Sequence, residues 1–184
     1  MPRIYLGLGS NLGDRGRNLR RALERLRSVV TIDAVSSVYR SEPVGYREQP
    51  DFWNLVVRGQ TALPPGELLG ELQRIEAELG RTRSFRNAPR PIDIDILLYD
   101  DVVLRTSSLT LPHPRMLERG FVLYPLMEVD PEVRHPVTGE RIADRLARAE
   151  GLERVERIPA GDRLLAGPAE GGEDGTEPIN GAGG

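Results

Sequence analysis

The chain of 184 residues contains no cysteine and no lysine, so arginine supplies all 25 of its basic side chains. Without cysteine it cannot form disulfides, attack a substrate with a thiolate or hold zinc through sulfur. Without lysine it cannot use a P-loop lysine, the ATP-binding lysine of a protein kinase or a Schiff base. These two absences exclude several large classes of enzyme.

Long hydrophobic runs are also missing, although apolar residues make up 39% of the chain. That fraction suffices for the core of one domain, whereas the runs are too short to span a bilayer. The first residues lead directly into a strand-like pattern without the apolar region of a signal peptide. We expect a soluble cytoplasmic protein.

The charge is distributed unevenly along the chain. The last 18 residues, 167–184, contain seven glycines, four acidic residues and no basic residue. So few apolar side chains cannot offset the entropy lost on ordering. We predict a folded domain over residues 1–166 and a disordered acidic tail over 167–184. Without the tail the formal net charge changes from −3 to +1, which is less basic than is usual for a nucleic-acid-binding domain.

Hydrophobic periodicity predicts six elements in the order β-α-β-β-α-β. They are a strand at 3–8, a helix capped by Asp14, a strand at 31–39, a strand at 52–61, a helix from Pro64-Pro65 to Gly80 and a strand at 92–99. This order is typical of an α+β, ferredoxin-like fold, with two helices on one face of an antiparallel sheet. The residues after Leu111, with a helix predicted at 140–149, would cover the other face and complete a three-layer α/β/α sandwich.

The last predicted strand carries two carboxylates on one face. In a strand, Ile92, Ile94, Ile96 and Leu98 point one way and Asp93, Asp95, Leu97 and Tyr99 the other. The Cα atoms of the two aspartates lie about 6.6 Å apart, and their repulsion is on the order of 2–3 kcal/mol. Carboxylates at this spacing suit Mg²⁺, which completes its coordination with water and phosphate. The alternative is a solvated outer face of an amphipathic strand.

Basic residues flank this strand. The polar segment 81–91 before it contains Arg81, Arg83, Arg86 and Arg90, and the proline-flanked His113 follows it. Arginines that face a pair of carboxylates indicate a phosphate chain held between guanidinium groups and metal. Surface solvation is the alternative for these arginines, and we retain it for Arg86.

A recognition pair for a planar ligand is predicted on the strand at 52–61. Phe52 and Asn54 share one face and Trp53 takes the other. An aromatic ring beside an amide can stack on a heteroaromatic base and bind its edge. Core packing of Phe52 and a strand-edge position of Asn54 is the alternative.

Several segments together resemble one known family, 6-hydroxymethyl-7,8-dihydropterin pyrophosphokinase of folate biosynthesis. The segments, in family order, are Leu8-Gly-Ser-Asn-Leu-Gly-Asp14, Ser37-Val-Tyr39 with Glu42-Pro-Val-Gly45, Gln49 to Asn54, Glu76 to Arg83, Pro89-Arg-Pro-Ile-Asp-Ile-Asp-Ile96 and Leu111-Pro-His-Pro-Arg115 through Leu126. The resemblance implies a ferredoxin-like α/β/α sandwich, in agreement with the predicted order. It also implies that residues 1–166 form a catalytic domain, which transfers pyrophosphate from ATP to the hydroxymethyl group of the pterin and releases AMP.

The resemblance implies a role for each site residue. Asp93 and Asp95 would bind two Mg²⁺ ions, and Arg81, Arg90 and Asp95 would be catalytic. The implied ATP-binding residues are Leu69, Gln73, Glu76, Arg81, Arg90, Ile96, Thr110, His113 and Arg119. The implied pterin-binding residues are Ser41, Pro43, Val44, Phe52, Asn54 and Phe121. The proton acceptor is left open between Asp95 and a metal-bound alkoxide.

Other readings of the pattern predict different partners. A nucleotidyl- or glycosyltransferase with the same Asp-x-Asp would bind a sugar or a nucleic acid, and an RNA-recognition module would present exposed aromatics on a basic sheet. The near-neutral charge and the acidic strand argue against the module. We expect small-molecule substrates, ATP and the pterin, with no nucleic acid, membrane or obligate protein partner. One departure is Asn87-Ala-Pro-Arg90, where many family members have Trp-Gly-Pro-Arg.

Deletion of residues 167–184 is expected to leave the melting temperature and the pyrophosphokinase activity unchanged, because the segment cannot contribute a core. The measurements are thermal unfolding and a steady-state assay. A control variant keeps the full length but has its four acidic tail residues changed to glutamine. It separates an effect of the tail's charge from an effect of its length. A large loss of stability or activity on deletion would show that the tail docks on the domain.

Overall fold

The computed structural model describes residues 1–43, 45, 48–80 and 87–165. Its elements are, in chain order, β1 Arg3–Ser10, α1 Arg15–Leu26, β2 Thr31–Val35, β3 Tyr39–Ser41, β4 Phe52–Gln60, α2 Pro65–Glu78, β5 Asp93–Tyr99, β6 Leu104–Arg105, β7 Thr110–Leu111, the 3₁₀ turn Met116–Glu118, α3 Gly120–Val129, α4 Ile142–Ala147, β8 Val155–Arg157 and α5 Pro159–Leu165. The predicted acidic tail lies outside the described residues. Among the described residues, no helix has the length and apolar content needed to cross a membrane.

The main sheet is antiparallel and has the order β5-β1-β4-β3-β8, with β2 paired to β4 beside β3. One face is covered by α1 and α2, whose buried residues pack against alternate residues of β1, Ile4, Leu6 and Leu8. The other face carries α3, whose Val122, Leu123 and Leu126 pack with Tyr5 and Val56. A mixed α/β fold with an antiparallel sheet is thus confirmed.

The predicted helix ends have the expected chemistry. The Asp14 carboxylate accepts a hydrogen bond from the Arg17 N–H at 3.0 Å and caps α1. Pro65 occupies the first turn of α2, where its missing N–H costs nothing. Gly80 follows α2 with φ +95°, a left-handed conformation that favours glycine.

The predicted strand at 31–39 is in fact two strands, β2 and β3, separated by residues 36–38. The serine side chains there make hydrogen bonds that compete with a regular ladder. The Ser36 hydroxyl accepts from the Val56 N–H at 2.9 Å. The Ser37 N–H and hydroxyl both donate to the Glu128 carboxylate on α3, at 2.9 and 2.7 Å. These contacts tie α3 to the edge of the sheet.

The predicted alternation of β5 fails after Leu97. Tyr5 pairs with Leu98 and Leu6 with Ile96, so Leu97 is the extra residue of a β-bulge. As a result Tyr99 packs with Ile94 and Ile96, and Leu98 packs on the other face with Leu97. The two aspartates precede the bulge and keep their predicted common face.

The end of the chain also differs from the prediction. The helix predicted at 140–149 is shorter and spans Ile142–Ala147. Strand β8, which pairs with β3, and helix α5 are additions to the predicted order. The last seven described residues, Pro159–Leu165, therefore belong to an element that hydrophobic periodicity did not indicate.

His135 predicts a pH dependence of stability. It is 8% exposed, and its Nδ1 accepts hydrogen bonds from the Val137 and Thr138 N–H groups at 3.2 Å. Burial lowers its pKa below the ordinary 6.5, with Glu140 opposing the shift. Because the folded state disfavours the proton, its contribution is present above pH 6.5 and is lost as the pH falls towards the folded pKa.

We expect the stability advantage of the wild type over His135→Asn to shrink between about pH 8 and about pH 5, since asparagine keeps an acceptor without titrating. Urea denaturation across this range measures it. Both chains retain His113, so its titration cancels in the comparison. A stability difference independent of pH would contradict the assignment.

Candidate active site

The floor of the site is the part of β1 where two glycines, Gly7 and Gly9, leave one face of the strand without side chains. Gly7 and Gly9 point to this face, while Leu6 and Leu8 point into the core on the other. Gly7 is paired with Asp95, and Gly9 is paired with Asp93 on one side and Asn54 on the other. The two aspartates and the asparagine therefore lie on the strands on either side of β1, next to glycine backbone that carries no side chains.

A central cleft is built over this floor. Its lining includes Gly7, Gly9, Ser41, Glu42, Phe52, Asn54, Asn87, Arg90, Asp93, Asp95, Leu97, Arg115, Arg119, Phe121 and Val122. The cleft brings together the predicted carboxylate pair and four of the predicted pterin residues, Ser41, Phe52, Asn54 and Phe121. Pro43 follows Glu42 but does not itself line the cleft, and Val44 lies outside the described residues.

The amide of Asn54 has a fixed orientation. Its Nδ2 donates to the Ser41 hydroxyl at 2.8 Å and to the Tyr39 carbonyl at 3.3 Å. Asn54 and Ser41 are 5% and 3% exposed, so these bonds form in a buried environment. The amide oxygen faces the floor, because a Cβ on Gly9 would lie 3.1 Å from it.

Two aromatic rings of the cleft each lie beneath an arginine. The Arg90 guanidinium is 5.3 Å from the centre of the Phe52 ring, and that of Arg119 is 5.3 Å from the centre of the Phe121 ring. A guanidinium at this distance is attracted to the ring face. The two rings that could stack on a planar ligand are thus in direct contact with the two arginines that could bind phosphate.

The carboxylate pair faces several positive charges. Arg90 Nε lies 3.9 Å from Asp93 Oδ2, and Arg115 and Arg119 line the same cleft. Burial lowers the pKa of Arg119, and the charges of Asp95 and Asp93 oppose that shift. Arg115 was not among the predicted site residues, although its position two residues after His113 could have indicated it.

Arg90 is held in place through its backbone by Asn11, which is 1% exposed. The Arg90 N–H donates to Asn11 Oδ1 at 2.9 Å, and the Asn11 N–H donates to the Arg90 carbonyl at 3.2 Å. Asn11 Nδ2 also donates to Gln49 Oε1 at 2.7 Å, and Gln49 Nε2 donates to the Asn87 carbonyl at 2.9 Å. Asn11 is a supporting residue that residue-type reasoning missed, since a lone asparagine carries no periodic signal.

A side cleft adjoins the central one. It is lined by Leu69, Ile94, Asp95, Ile96, residues 106–110, His113 and Pro114. Four residues implied for ATP, Leu69, Ile96, Thr110 and His113, therefore meet there. Asp95 lines both clefts, so the two sites meet at this carboxylate.

His113 is neutral in this environment. Burial and the nearby Arg119 lower its pKa to about 4, although Asp93 acts in the opposite direction. Its Nδ1 accepts a hydrogen bond from the Arg115 N–H at 3.2 Å. Nε2 therefore carries the proton, which makes His113 an uncharged donor beside the carboxylates.

The remaining predicted residues occupy different positions. Glu76 is 5% exposed and accepts a hydrogen bond from the Ile94 N–H at 3.1 Å, between the two aspartates. Gln73 is exposed on α2 and is not among the described residues that line either cleft. Arg81 lies outside the described residues. The roles of all three stay predictions.

A cleft with paired carboxylates, arginines and aromatic rings, joined to a second cleft, is typical of enzymes that bind a planar substrate beside a phosphate chain. The family of 7,8-dihydro-6-hydroxymethylpterin-pyrophosphokinase (HPPK) matches residues 5–131, which is more than half of the chain, and the chain belongs to this family.

Individual relatives agree with this membership. The chain is 46% identical over 137 residues to the 2-amino-4-hydroxy-6-hydroxymethyldihydropteridine pyrophosphokinase of Aquifex aeolicus, covering 74% of this chain and 86% of that one. It is 48% identical over 136 residues to the protein of the same name from Bacillus subtilis, covering 73% and 81%. It also matches the folic acid synthesis protein fol1 of Pneumocystis carinii at 44% identity over 141 residues, which is 76% of this chain but only 19% of the longer relative.

Solved structures support the fold. A crystal structure of Plasmodium falciparum HPPK-DHPS A437G with SDX-DHP superposes with a TM-score of 0.69 at 17% identity, covering 85% of this chain and 49% of that one. The wild-type Plasmodium falciparum HPPK-DHPS gives a TM-score of 0.68 at 17% identity, covering 85% and 44%. At this level of identity the likeness concerns the fold alone.

The bare floor predicts different effects for its two glycines. A Cβ at Gly9 would lie 3.1 Å from Asn54 Oδ1 and 3.4 Å from the Phe52 ring, whereas a Cβ at Gly7 would make an ordinary 3.4 Å contact with Leu97. Gly9→Ala is therefore expected to weaken binding of a planar ligand about fivefold or more, and Gly7→Ala to weaken it less. Titration calorimetry with the pterin measures both variants, and equal effects would show that the Asn54 amide is not the sensitive group.

Proposed function

We propose that this protein transfers pyrophosphate from ATP to the hydroxymethyl group of 6-hydroxymethyl-7,8-dihydropterin, releasing AMP, in folate biosynthesis. Membership in the HPPK family supports this transfer. The observation that carries the proposal is the central cleft, where Phe52, Asn54 and Phe121 stand beside Asp93 and Asp95. A planar acceptor and a phosphate chain would meet in that cleft.

The pterin would bind between the rings of Phe52 and Phe121. Stacking on both faces suits a flat heteroaromatic ligand, and the fixed amide of Asn54 would bind its polar edge. Ser41 supports this amide and, with Pro43 and Val44, would form the wall beside the ligand. The pterin side of the site depends on shape and hydrogen bonds rather than on charge.

ATP would occupy the side cleft and extend its phosphates towards the central one. Leu69, Ile96 and Thr110 would contact the adenine, with Gln73 and Glu76 nearby on α2. Arg90, Arg119 and His113 would face the phosphates, together with Arg81. The buried Nε of Arg90 has no hydrogen-bond partner among the described residues and lies 3.9 Å from Asp93 Oδ2.

The donor set fits Mg²⁺. Asp93 and Asp95 supply hard carboxylate oxygens on one face of β5, and bound phosphates and water would complete the coordination of two ions. When bound, Mg²⁺ would neutralise phosphate charge and polarise the transferred group. Among the described residues no cluster of three or more acidic or histidine ligands is present, which agrees with sites completed by substrate.

Positioning would provide much of the catalysis. The pterin hydroxyl would attack the β-phosphorus, and the bond to the α-phosphate oxygen would break as AMP leaves. Arg90, Arg115 and Arg119 would stabilise the charge that builds on the transferred group and the leaving oxygen. The hydroxyl proton would pass to Asp95, which lines both clefts, or be lost as a metal-bound alkoxide forms, and His113 would donate from Nε2 without adding charge.

The order of β1 to β5, α1 and α2, with α3 on the opposite face, supports a ferredoxin-like core in a three-layer α/β/α sandwich. Residues 1–166 would form the catalytic domain, and 167–184 a tail that is dispensable for it. As a pyrophosphokinase of small-molecule substrates, the protein would act in the cytoplasm.

The test of this function is incubation with ATP, Mg²⁺ and hydroxymethyl-dihydropterin. AMP and the pterin diphosphate are expected in equal amounts. Asp95→Asn is expected to lower turnover at least about a hundredfold, because it removes a metal-binding charge at the junction of the clefts. Asp101→Asn, an exposed position beyond β5, serves as the matched control. ATP and pterin that yield no pterin diphosphate would refute the proposed transfer, and full activity of Asp95→Asn would refute the metal-binding role of Asp95.

The stacking rings predict selective losses. Phe52→Ala and Phe121→Ala are each expected to weaken pterin binding about fivefold or more while ATP affinity changes little, because each removes one wall of the central cleft. Tyr124→Ala removes an exposed aromatic one turn further along α3 and is the control. Calorimetry with each ligand decides the outcome: equal weakening of both ligands would contradict the two-ring assignment.

A further inference from the structure

Helix α3, which carries Phe121, begins without a cap of its own. Its N-cap residue, Arg119, makes no side-chain hydrogen bond to the first turn. The first N–H groups of a helix need acceptors from elsewhere. One acceptor comes from Glu153, whose Oε1 receives a hydrogen bond from the Phe121 N–H at 3.0 Å. A carboxylate at this end also interacts favourably with the helix dipole.

The two segments approach closely because a glycine separates them. A Cβ on Gly120 would lie 2.8 Å from the Glu153 carbonyl oxygen and 3.4 Å from its carboxylate. Such a distance to a backbone atom is too short for any side chain, so the approach requires glycine at the first position of α3. The contact between Glu153 and α3 therefore depends on a residue in each segment: the carboxylate of Glu153 and the missing side chain of Gly120.

The segment that carries Glu153 is anchored to the opposite wall of the site. Two residues later, Val155 begins β8 and pairs with Ser41 on β3. The Ile158 N–H then donates to the Val38 carbonyl at 2.8 Å. Residues 153–158 therefore contact both sides of the central cleft: β3 with Ser41 on one side and the start of α3 with Phe121 on the other. It lies beyond residues 5–131, which the family matches.

We propose that Glu153 is a positioning residue for the pterin site, which caps α3 and thereby fixes the Phe121 ring; this rests on the proposed function. Loss of the cap would loosen the first turn of α3, and the pterin would then have to order the ring as it binds. The adenine pocket would be spared, because Leu69, Ile96 and Thr110 belong to α2, β5 and β7. ATP would be affected only through Arg119, the N-cap residue of α3, and therefore less than the pterin.

The test uses the full chain with Glu153→Leu, which removes the acceptor, and Glu153→Gln, which keeps one. Glu153→Leu is expected to raise the KM for the pterin about fivefold, the size expected for a lost helix cap, and to raise the KM for ATP by a smaller factor, through Arg119 alone. Glu153→Gln should restore the wild-type value. Glu150→Leu removes an exposed carboxylate three residues away and is the control.

A second measurement does not depend on catalysis. Hydrogen exchange followed by NMR should show a faster Phe121 amide in Glu153→Leu and wild-type protection in Glu153→Gln. If Glu153→Leu does not fold, Gly120→Ala takes its place, because its Cβ would displace the Glu153 backbone while leaving the carboxylate in the chain. It should raise the pterin KM in the same direction.

Three outcomes would overturn the inference. An equal rise of both KM values without rescue by Glu153→Gln would show a general loss of structure. Faster Phe121 exchange with an unchanged pterin KM would show that the cap does not position the ring. A wild type that forms no AMP from ATP and pterin would refute the proposed function. The hydrogen-exchange data would still show whether Glu153 caps α3, so failure of the proposed function can be distinguished from failure of the proposed cap.

Discussion

The site depends on a constraint in the central strand: one face of β1 has no side chains at the two positions where ligands would bind. Because β1 lies between β4 and β5, a Cβ at Gly9 would lie 3.1 Å from Asn54 Oδ1 and 3.4 Å from the Phe52 ring, and a Cβ at Gly7 would contact Leu97 at 3.4 Å. Glycine in a strand interior weakens the strand. The buried leucines on the opposite face of β1 offset that cost by anchoring the strand in the core. The cleft is therefore a gap in an otherwise well-packed sheet.

The absence of lysine has a structural consequence at this gap. Arg90 and Arg119 lie over the rings of Phe52 and Phe121 while facing the carboxylate pair. A planar guanidinium can cover a ring and still present donors at its edge, which a lysine ammonium cannot do. The positive charges also offset the repulsion between Asp93 and Asp95, so an acidic pair is tolerated on a partly buried strand. Ring stacking and charge compensation thus use the same side chains.

How much could be predicted from the sequence depends on the kind of signal. Periodic features were accessible: the common face of Asp93 and Asp95, the pairing of Phe52 with Asn54, and the caps of α1 and α2 all follow from spacing. Features set by single tertiary hydrogen bonds were not. The break at Ser36 depends on Val56 and on α3, and the role of Asn11 depends on the backbone of Arg90, 79 residues away in the chain. No local pattern encodes such partners.

The bulge at Leu97 shows how one such feature organises the chemistry. A bulge leaves a residue out of the regular ladder, and the Leu97 carbonyl instead accepts a hydrogen bond from the His113 N–H at 2.9 Å. This bond attaches the segment containing His113 to β5 at Leu97, which is two residues after Asp95 in the strand. His113 therefore lies near Asp95, the only carboxylate that lines both described clefts. Because β5 is the edge strand of the sheet, its outer side is open to such a partner. The residue at which the alternation of β5 breaks is therefore also the residue that holds a neutral histidine at the junction of the two clefts.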